Sequence, residues 1–323
     1  MSDTEIPVRV RQMRYEADTV LSVGFETLDG SPLPRAEPGA HVDVILSDDL
    51  RRSYSLTQAL DGTTPGCTVA VHRNPASRGG SAFVHEGLRV GDRLRLSRPK
   101  NHFPLNEAAA QSVLIAGGIG ITPMLAMIRR LAEAGRPWHL HYAARKRSAA
   151  AFLAELDACV AASGGQGRVT THFDDEANGA LIDIAGIIAA AGPEVHFYCC
   201  GPEPMLAAYE AAARGVPKDR VHAEYFSARE EASREGGFDV VLNRSGKTLH
   251  VEPGKTILDV LIANRVSVPF ACTEGTCGTC ETRVIEGRPD HRDVILTDEE
   301  RANGDTIMVC CSGSKSARLV LDL

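Results

Sequence analysis

Residues 272–280 read Cys-Thr-Glu-Gly-Thr-Cys-Gly-Thr-Cys, with three cysteines in the spacing C-x4-C-x2-C. Three thiolates so close in sequence would repel one another and oxidise readily unless a metal held them. The intervening residues are small or polar, which lets the backbone wrap around a cluster and aim N–H groups at its sulfurs. This stretch therefore predicts an iron–sulfur binding loop in a small domain near the C-terminal end of the chain.

The fourth ligand has to come from farther along the chain. Cys310 and Cys311 follow after a long gap, and one distant cysteine after C-x4-C-x2-C is the spacing of plant-type 2Fe–2S sites. A Cys-x-Ser pattern after a hydrophobic strand favours Cys310, because Cys311 would point to the opposite side of that strand. Zinc is the alternative, but it usually takes two C-x2-C pairs or one pair with histidines, and the chain has one such pair. The predicted cluster ligands are Cys272, Cys277, Cys280 and Cys310.

Composition limits the classes of function. The chain has 323 residues, enough for two or three domains, and no run long and apolar enough for a membrane span. Its first five residues lack the basic and apolar segments of a signal peptide. Nine cysteines in this setting indicate a reducing compartment, so we expect a cytoplasmic protein. The net charge of −7 argues against nucleic acid and anionic membranes as partners.

Three segments of the chain have different patterns. Residues 1–106 read as short alternating strands broken by glycine and proline, which is typical of an antiparallel barrel or sandwich. Across 107–226, strands alternate with helical segments such as an alanine-rich helix over 149–162, which predicts a parallel α/β sheet. Residues 227–237 are charged and small and read as a linker. The remainder, 238–323, suits a small β-grasp domain. We predict a multidomain protein: an antiparallel β-barrel, an α/β domain and a β-grasp cluster domain.

The barrel segment carries a candidate flavin site. Residues 52–56 read Arg-Ser-Tyr-Ser-Leu at the end of a predicted strand. There Arg52 can pair with a phosphate, Tyr54 can pack on an isoalloxazine, and Ser55 can hydrogen-bond near the flavin N5. Residues 78–81 read Arg-Gly-Gly-Ser, and glycines at a helix start expose backbone N–H groups to a phosphate. R-x-Y-S alone is a weak signal, and an ordinary turn is the alternative for the glycines.

The α/β segment carries a candidate dinucleotide site. Residues 117–124 read Gly-Gly-Ile-Gly-Ile-Thr-Pro-Met after a buried-strand pattern. Pro123 replaces the last glycine of G-x-G-x-x-G, but proline suits the first turn of a helix, and the glycines allow a pyrophosphate to approach. Residues 200–202 read Cys-Gly-Pro after a later strand, a pattern that resembles the second nucleotide motif of ferredoxin reductases, whose turn borders the nicotinamide. A nucleophilic Cys200 is the alternative, but no His/Asp arrangement supports it, so we expect Cys200 to line the hydride path.

Together, and in this order, the three motif sets resemble the ferredoxin reductase superfamily, in particular the phthalate dioxygenase reductase type. Residues 290–293 (Asp-His-Arg-Asp) and 319–323 also resemble vanillate O-demethylase reductases of this group. The resemblance implies a first domain that binds FMN rather than FAD, a second that binds NADH, and a third that holds the 2Fe–2S cluster. The implied flavin contacts are Arg52, Ser53, Tyr54, Ser55, Val71, His72, Arg73, Gly79, Gly80 and Ser81. The implied nucleotide contacts are Gly118, Gly120, Thr122, Pro123, Arg145, Cys200, Gly201, Pro202 and Met205.

The resemblance also assigns catalytic roles to Ser55, Cys200 and Phe226. An aromatic residue at the position of Phe226 covers the flavin in this family and must yield to the nicotinamide, so Phe226 is counted as a cofactor contact. Simple packing between domains is the alternative for this side chain. Basic residues at 145–147 could bind the 2′-phosphate of NADPH or form a solvated helix entry, whereas the resemblance favours NADH.

The function implied by the resemblance is that of the reductase component of a Rieske-type aromatic oxygenase or O-demethylase. Electrons would pass from NADH through FMN and the 2Fe–2S cluster to a terminal oxygenase, and the reductase itself would be a monomer. A net charge of −3 over residues 236–323 predicts a basic docking face on that oxygenase. A reductase for a cytochrome P450 or another acceptor would use the same chemistry. A redox sensor would bind the same cofactors without rapid NADH turnover, and the complete nucleotide segment argues against it.

Overall fold

The computed structural model describes residues 5–47, 50–228 and 230–323. The first four residues, on which the expected absence of a signal peptide rests, lie outside the described residues, as does Arg229 of the predicted linker. The chain divides into two compact units, which meet in sequence between Glu224 and Tyr225.

A closed antiparallel sheet begins the N-terminal unit. Its strands are β1 (Glu5–Ala17), β2 (Val20–Thr27), β3 (His41–Ser47), β4 (Leu50–Ser55), β5 (Gly66–His72) and β6 (Arg93–Ser97). Their order across the sheet is β4-β3-β6-β1-β2-β5. An antiparallel bridge between Leu56 and Val69 joins the two edges, and the inward side chains fill the closed sheet as an apolar core. The predicted antiparallel barrel is confirmed.

Between β5 and β6 the chain forms α1 (Gly80–Ala82) and a π-helical turn (Phe83–Gly87). A parallel sheet follows the barrel. Its strands are β7 (Gln111–Gly117), β8 (Trp138–Ala144), β9 (Gly167–Phe173), β10 (Val195–Cys200) and β11 (Val221–Glu224). Its helices are α2 (Ile121–Glu133), α3 (Leu153–Ala162), α4 (Ile184–Ala189) and α5 (Glu203–Ala212). Short 3₁₀ turns lie at Gly118–Gly120, Arg147–Ala149, Ala213–Gly215 and Lys218–Arg220.

The order of the parallel strands places the dinucleotide motifs together. The order is β11-β10-β7-β8-β9, so the chain moves outward from β7 in one direction and then returns to its other side. Ligands bind such sheets at this reversal, outside the carboxyl ends of the strands. The turns after β7 and β10, which contain the two predicted motifs, therefore flank the same switch point.

The predicted helix over 149–162 begins later than its alanine content indicates. Residues 147–149 form a 3₁₀ turn, and α3 starts only at Leu153. The reason is Phe152, which has a left-handed backbone (φ 64°) and is buried in the core of this unit. Burial of a large aromatic ring offsets the cost of that conformation, so packing overrides the local helix propensity.

The C-terminal unit is a mixed sheet with one helix packed on it. Its strands are β12 (Phe238–Leu242), β13 (Thr248–Val251), β14 (Glu281–Glu286), β15 (Pro289–Asp290), β16 (Thr306–Met308), β17 (Gly313–Ser314) and β18 (Arg318–Leu321). Its helices are α6 (Ile257–Ala263) and α7 (Asp298–Asn303), and both begin with a capping box. The main order is β13-β12-β18-β14-β16, and β15 pairs with β17 separately.

Part of the predicted linker is bonded to this C-terminal unit. The backbone N–H of Ser233 donates to the carbonyl of Cys311 at 2.7 Å, and that of Gly254 donates to the carbonyl of Arg234 at 2.7 Å. Ala232 packs against the apolar core of the unit. The domain limits at 106, 226 and 237 remain predictions.

Candidate functional site

Arg52, within β4, connects that strand to the glycine turn before α1. Its guanidinium donates hydrogen bonds to the carbonyl oxygens of Arg51 and Arg78, both at 2.7 Å. A Cβ atom on Gly80 would lie 2.5 Å from the Arg52 side chain, so only glycine allows this close approach. The preceding Gly79 has φ 92°, which also favours glycine. The barrel thus brings together an arginine and a glycine turn at a helix start, and these residue types fit a phosphate.

Ser53 and Tyr54 have different surroundings. The Ser53 hydroxyl donates to Asp43 at 2.6 Å, and Asp43 also pairs with Lys100 at 3.2 Å, so this hydroxyl is engaged within the protein. Tyr54 packs against the barrel core, and burial raises its pKa to about 12. A neutral phenol ring of this kind can pack on a flavin. Flavin contact by Ser53 and Tyr54 stays a prediction.

The end of β5 is joined to the turn around α1. The His85 ring hydrogen-bonds the carbonyl of Val71 at 2.9 Å, and Arg73 donates to the Glu86 carboxylate at 2.7 Å. Ser81 Oγ accepts the backbone N–H of the residue that follows Arg73, at 3.2 Å. The predicted flavin residues of the two segments, 52–55 and 71–81, therefore lie side by side along one surface of the barrel, called here the barrel wall.

Arg145, at the end of β8, lies close enough to influence His72 of this wall. Burial is the main cause that lowers the pKa of His72, and electrostatic interactions with His85 and Arg145 lower it further. His72 is thus neutral at pH 7, and the α/β sheet and the barrel each contribute to the same region of the N-terminal unit.

The two glycine turns at the switch point contact each other closely. Gly118 has φ 54°, and a Cβ atom on Gly120 would overlap the carbonyl of Cys200. A Cβ atom on Gly201 would lie 2.6 Å from Met205 Sδ. Thr122 and Pro123, in the first turn of α2, are buried, and the Thr122 hydroxyl donates to a carbonyl in the preceding 3₁₀ turn at 3.0 Å. Binding of a pyrophosphate at the N-terminus of α2 stays a prediction.

Three polar groups meet where the barrel reaches the switch point. Ser55 Oγ, at the end of β4, donates a long hydrogen bond of 3.5 Å to Glu224 Oε2, at the end of β11. Cys200 is opposite Glu224 in the parallel pairing of β10 with β11. Cys200 is fully buried, and burial followed by the Glu224 charge raises the pKa of its thiol well above the ordinary value. The Cys200 thiol is therefore protonated at pH 7, which argues against a nucleophile.

Glu224 is the site residue that the sequence interpretation missed. Burial raises the pKa of its carboxyl to about 8, and the Ser55 hydroxyl partly opposes this shift. Glu224 thus holds a proton at neutral pH beside a serine that was predicted to contact the flavin. The signal available in the sequence was weak, because Glu224 is a lone carboxylate before Tyr225 in a strand, β11, that was not predicted.

The cluster loop also has the features that a 2Fe–2S group needs. All four predicted ligands are buried, and the backbone N–H groups of Glu274 and Thr276 point at Cys272 Sγ, at 3.3 and 3.4 Å. The Cys272 side chain is within hydrogen-bond reach of those of Cys277 and Cys310, which brings the distant cysteine to the loop. Donors aimed at ligand sulfur are characteristic of iron–sulfur sites, so these residues fit the group.

Cys311 packs beside the cluster loop, and its side chain is within hydrogen-bond reach of that of Cys310. Its Sγ lies 3.7 Å from the carbonyl of Met308 and 3.8 Å from Ser312 Oγ. A Cβ atom on Gly275 would lie 2.5 Å from the same sulfur, so Cys311 fills the space behind the loop. Across residues 5–47, 50–228 and 230–323, no three His, Cys, Asp or Glu side chains are grouped as ligands of a single metal ion.

Comparison with known proteins supports this arrangement. Two family models match, an oxidoreductase NAD-binding domain over residues 114–211 and a 2Fe–2S iron–sulfur cluster binding domain over residues 240–314. Phenoxybenzoate dioxygenase subunit beta from Ectopseudomonas oleovorans is 48% identical over 98% of this chain and 97% of its own length. Vanillate O-demethylase oxidoreductase from a Pseudomonas strain is 43% identical over 98% of this chain and all of its own length.

This chain belongs to the phthalate dioxygenase reductase family. The solved structure of phthalate dioxygenase reductase is 36% identical, covers 99% of this chain and 98% of its own length, and superimposes with a TM-score of 0.74. An intact self-sufficient cytochrome P450 monooxygenase is 38% identical over 99% of this chain, with a TM-score of 0.85. The chain spans 41% of that longer protein.

As a member of the phthalate dioxygenase reductase family, the protein is an NAD-dependent oxidoreductase that uses FMN and a 2Fe–2S cluster. The predicted architecture and the similarity to vanillate O-demethylase reductases are confirmed.

Phe226 belongs to the C-terminal unit and is 40% exposed, and its role over the flavin stays a prediction. None of the helices in the described part of the chain is long and apolar enough to span a bilayer.

Proposed function

We propose that this reductase serves a Rieske-type aromatic oxygenase or O-demethylase, to which it delivers electrons taken from NADH. The observation that carries the proposal is the meeting of Ser55, Cys200 and Glu224 beside two glycine turns at the switch point. A nicotinamide in that position would be next to the barrel wall that fits a flavin. Relatives of nearly the same length, named as oxygenase and demethylase components, support the class of partner.

Each side chain of the site has a role that follows from its contacts. FMN, when bound, supplies the conversion between paired and single electrons. Arg52 and the turn at Gly79 hold a phosphate, and Cys200 excludes water from the nicotinamide side because its thiol is buried and neutral. Glu224 would hold its proton beside the Ser55 hydroxyl at the edge of the flavin site, and hydride transfer itself requires no general base.

The net charge of the cluster domain indicates what kind of surface its partner presents. Residues 236–323 contain 10 Lys and Arg against 13 Asp and Glu, so the domain that releases electrons is negative before the cluster is counted. A basic face on the oxygenase would be attracted to it, and the rate of association would fall as salt increases. We propose further that the reductase is a cytoplasmic monomer.

The first experiment is an anaerobic titration of the holoprotein with NADH, followed by visible absorbance. Bleaching of flavin and cluster bands at about 1.5 NADH per protein, three electrons in all, is expected. Flavin bleaching that never reaches the cluster would overturn the electron path. NADH-driven turnover with purified candidate oxygenases then tests the partner, and its failure with all Rieske-type oxygenases tried would overturn that assignment.

A cytochrome P450 is the second candidate acceptor. The similarity to a self-sufficient P450, in which this module is part of one chain with the haem domain, favours it. The rate of P450 haem reduction under carbon monoxide, measured with the same reductase preparation, distinguishes a P450 acceptor from a Rieske-type oxygenase. Fast haem reduction with slow reduction of Rieske centres would favour the P450, and the reverse would favour the oxygenase.

A further inference from the structure

A short segment runs between the two halves of the cluster site. On one side, β15 pairs with β17, and the backbone N–H of Arg292 donates to Ser312 Oγ at 3.1 Å, two residues after the ligand Cys310. On the other side, the N–H of Val294 donates to the carbonyl of Gly275 at 3.0 Å, within the cluster loop. The segment therefore ties the C-x4-C-x2-C loop to the strand region of the distant cysteine.

Asp293 is the buried carboxylate of this segment. Its side chain has no solvent exposure, and its Oδ2 accepts the backbone N–H groups of Ile295 and Leu296 at 3.1 and 2.9 Å. The Arg301 guanidinium, which is 32% exposed, lies 3.6 Å from the same oxygen and donates to the carbonyl of Asp293. A buried carboxylate of this kind is costly unless donors and a cation face it. Here they face Oδ2, whereas Oδ1 has no hydrogen-bond partner among the described residues.

Asp293 is also in direct contact with the cluster loop. A Cβ atom on Gly275 would lie 2.9 Å from the Asp293 Cα and 3.1 Å from its Cβ. Gly275 stands between the ligands Cys272 and Cys277. The Cα and Cβ atoms of Asp293 thus lie immediately behind the loop, and its carboxylate is buried, so solvent screens its charge only weakly.

His291 adds no second cation to this pair. Its side chain is 8% exposed, and its Nδ1 lies 3.8 Å from Asp293 Oδ1, beyond hydrogen-bond length. Neither ring nitrogen has a hydrogen-bond partner among the described residues. Burial lowers the pKa of His291 more than Asp293 raises it, so the ring is neutral at pH 7. Of the described residues that face Asp293, Arg301 therefore supplies the compensating charge.

We propose that Asp293 and Arg301 form a fixed charge pair that sets the reduction potential of the cluster from behind its loop. Reduction adds an electron, so the buried negative charge of Asp293 disfavours the reduced state and lowers the potential, whereas Arg301 raises it. Asp293 is a positioning residue here, since it holds the loop without touching the iron ligands. The inference concerns the cluster of the proposed electron path and is independent of which oxygenase accepts the electrons.

The test is an equilibrium redox titration of the purified holoproteins with a chemical reductant and mediators, read by electron paramagnetic resonance of the reduced cluster. Four variants are compared at one pH: Asp293→Asn, Arg301→Gln, Arg301→Lys and Glu299→Gln. Glu299 lies on α7 with Arg301 but is exposed, so its variant is the matched control for a surface charge. Neither NADH nor an oxygenase is present, so failure of the proposed function cannot imitate failure of this inference.

The expected result is a pair of opposite shifts. The potential becomes more positive in Asp293→Asn and more negative in Arg301→Gln, while Arg301→Lys and Glu299→Gln stay near the unmodified protein. A merely structural role would move both main variants in the same direction or would leave both potentials unchanged, and either result overturns the proposal. If Asp293→Asn does not retain the cluster, the potential of the Arg301→Gln variant tests the proposal by itself. An unchanged cluster potential in Arg301→Gln is then sufficient to reject the proposed role of the charge pair.

Discussion

Ser55 Oγ lies 3.5 Å from Glu224 Oε2, although 169 positions separate the two residues and they belong to different sheets. This contact is where the closed barrel meets the carboxyl edge of the parallel sheet. It makes the proton on Glu224 part of the same site as the predicted flavin contacts. The first two predictions follow from it.

Replacement of Ser55 by alanine should shift the pH dependence of flavin reduction by NADH to higher pH. The hydroxyl lowers the pKa of Glu224, so its loss lets that pKa rise above about 8. We also expect about a fivefold slower reduction, since one neutral hydrogen bond contributes roughly 1 kcal/mol. Anaerobic stopped-flow measurements from pH 6 to 10 provide the profile. Ser53→Ala is the control, because its hydroxyl bonds Asp43 instead; an equal shift in both variants would contradict the prediction.

Glu224 should also make the folded protein less stable as pH rises. Its folded pKa, about 8, is above the ordinary value of 4.5, so the folded state holds a proton that the unfolded state releases. This contribution is complete below about pH 4.5 and is lost as pH rises through about 8. Glu224→Gln should therefore flatten the fall in melting temperature between pH 6 and 9. A fall as steep as that of the unmodified protein would show that Glu224 is not its source.

Local spacing allowed the cluster ligands and the dinucleotide turns to be predicted, because both depend on residues close together in sequence. Glu224 and Asp293 could not be assigned roles this way. Their burial and charge arise from strands that meet through long-range pairing, and a single carboxylate carries no spacing signal. The predicted start of α3 was wrong for a related reason, because local helix propensity does not reveal the packing of Phe152.

Replacement of Cys310 by serine should remove the cluster, whereas the same replacement of Cys311 should not. Cys310→Ser should lose most of the iron and the visible cluster absorbance, because its side chain is the one within reach of Cys272. Cys311→Ser should keep both, since the Cys311 sulfur faces Met308 and Ser312. Iron content per flavin, together with the low-temperature resonance spectrum, measures the difference. Cluster loss in Cys311→Ser with retention in Cys310→Ser would reverse the ligand assignment.

Gly275→Ala should impair cluster assembly far more than its backbone angle alone explains. Gly275 and Gly246 both have φ 69°, so a side chain costs about 1 kcal/mol of backbone strain at either position. At Gly275, however, the new Cβ would lie 2.5 Å from Cys311 Sγ, whereas at Gly246 no atom lies within 4 Å. Overpacking adds roughly 1–3 kcal/mol at the first position only. Similar melting temperatures and iron contents for both alanine variants would refute this explanation.

Glu176 is predicted to help the protein choose NADH over NADPH. Lys146 pairs with Asp18 at 2.6 Å, and Arg147 forms a two-point ion pair with Glu176 at 3.0 and 3.1 Å. These basic residues follow β8, where the adenosine ribose of a bound dinucleotide would lie. Their pairing leaves less positive charge for a 2′-phosphate.

Glu176→Ala should therefore free Arg147 and raise the ratio of kcat/KM for NADPH to that for NADH by about tenfold, since a charge-assisted hydrogen bond contributes roughly 1.5–3 kcal/mol. Glu107→Ala is the matched control, because it breaks a similar exposed pair with Arg130 near the far end of α2. An unchanged ratio in Glu176→Ala, or the same increase in both variants, would mean that Arg147 does not reach the ribose. The surface pair itself adds little stability, so a loss of folding should not obscure the comparison.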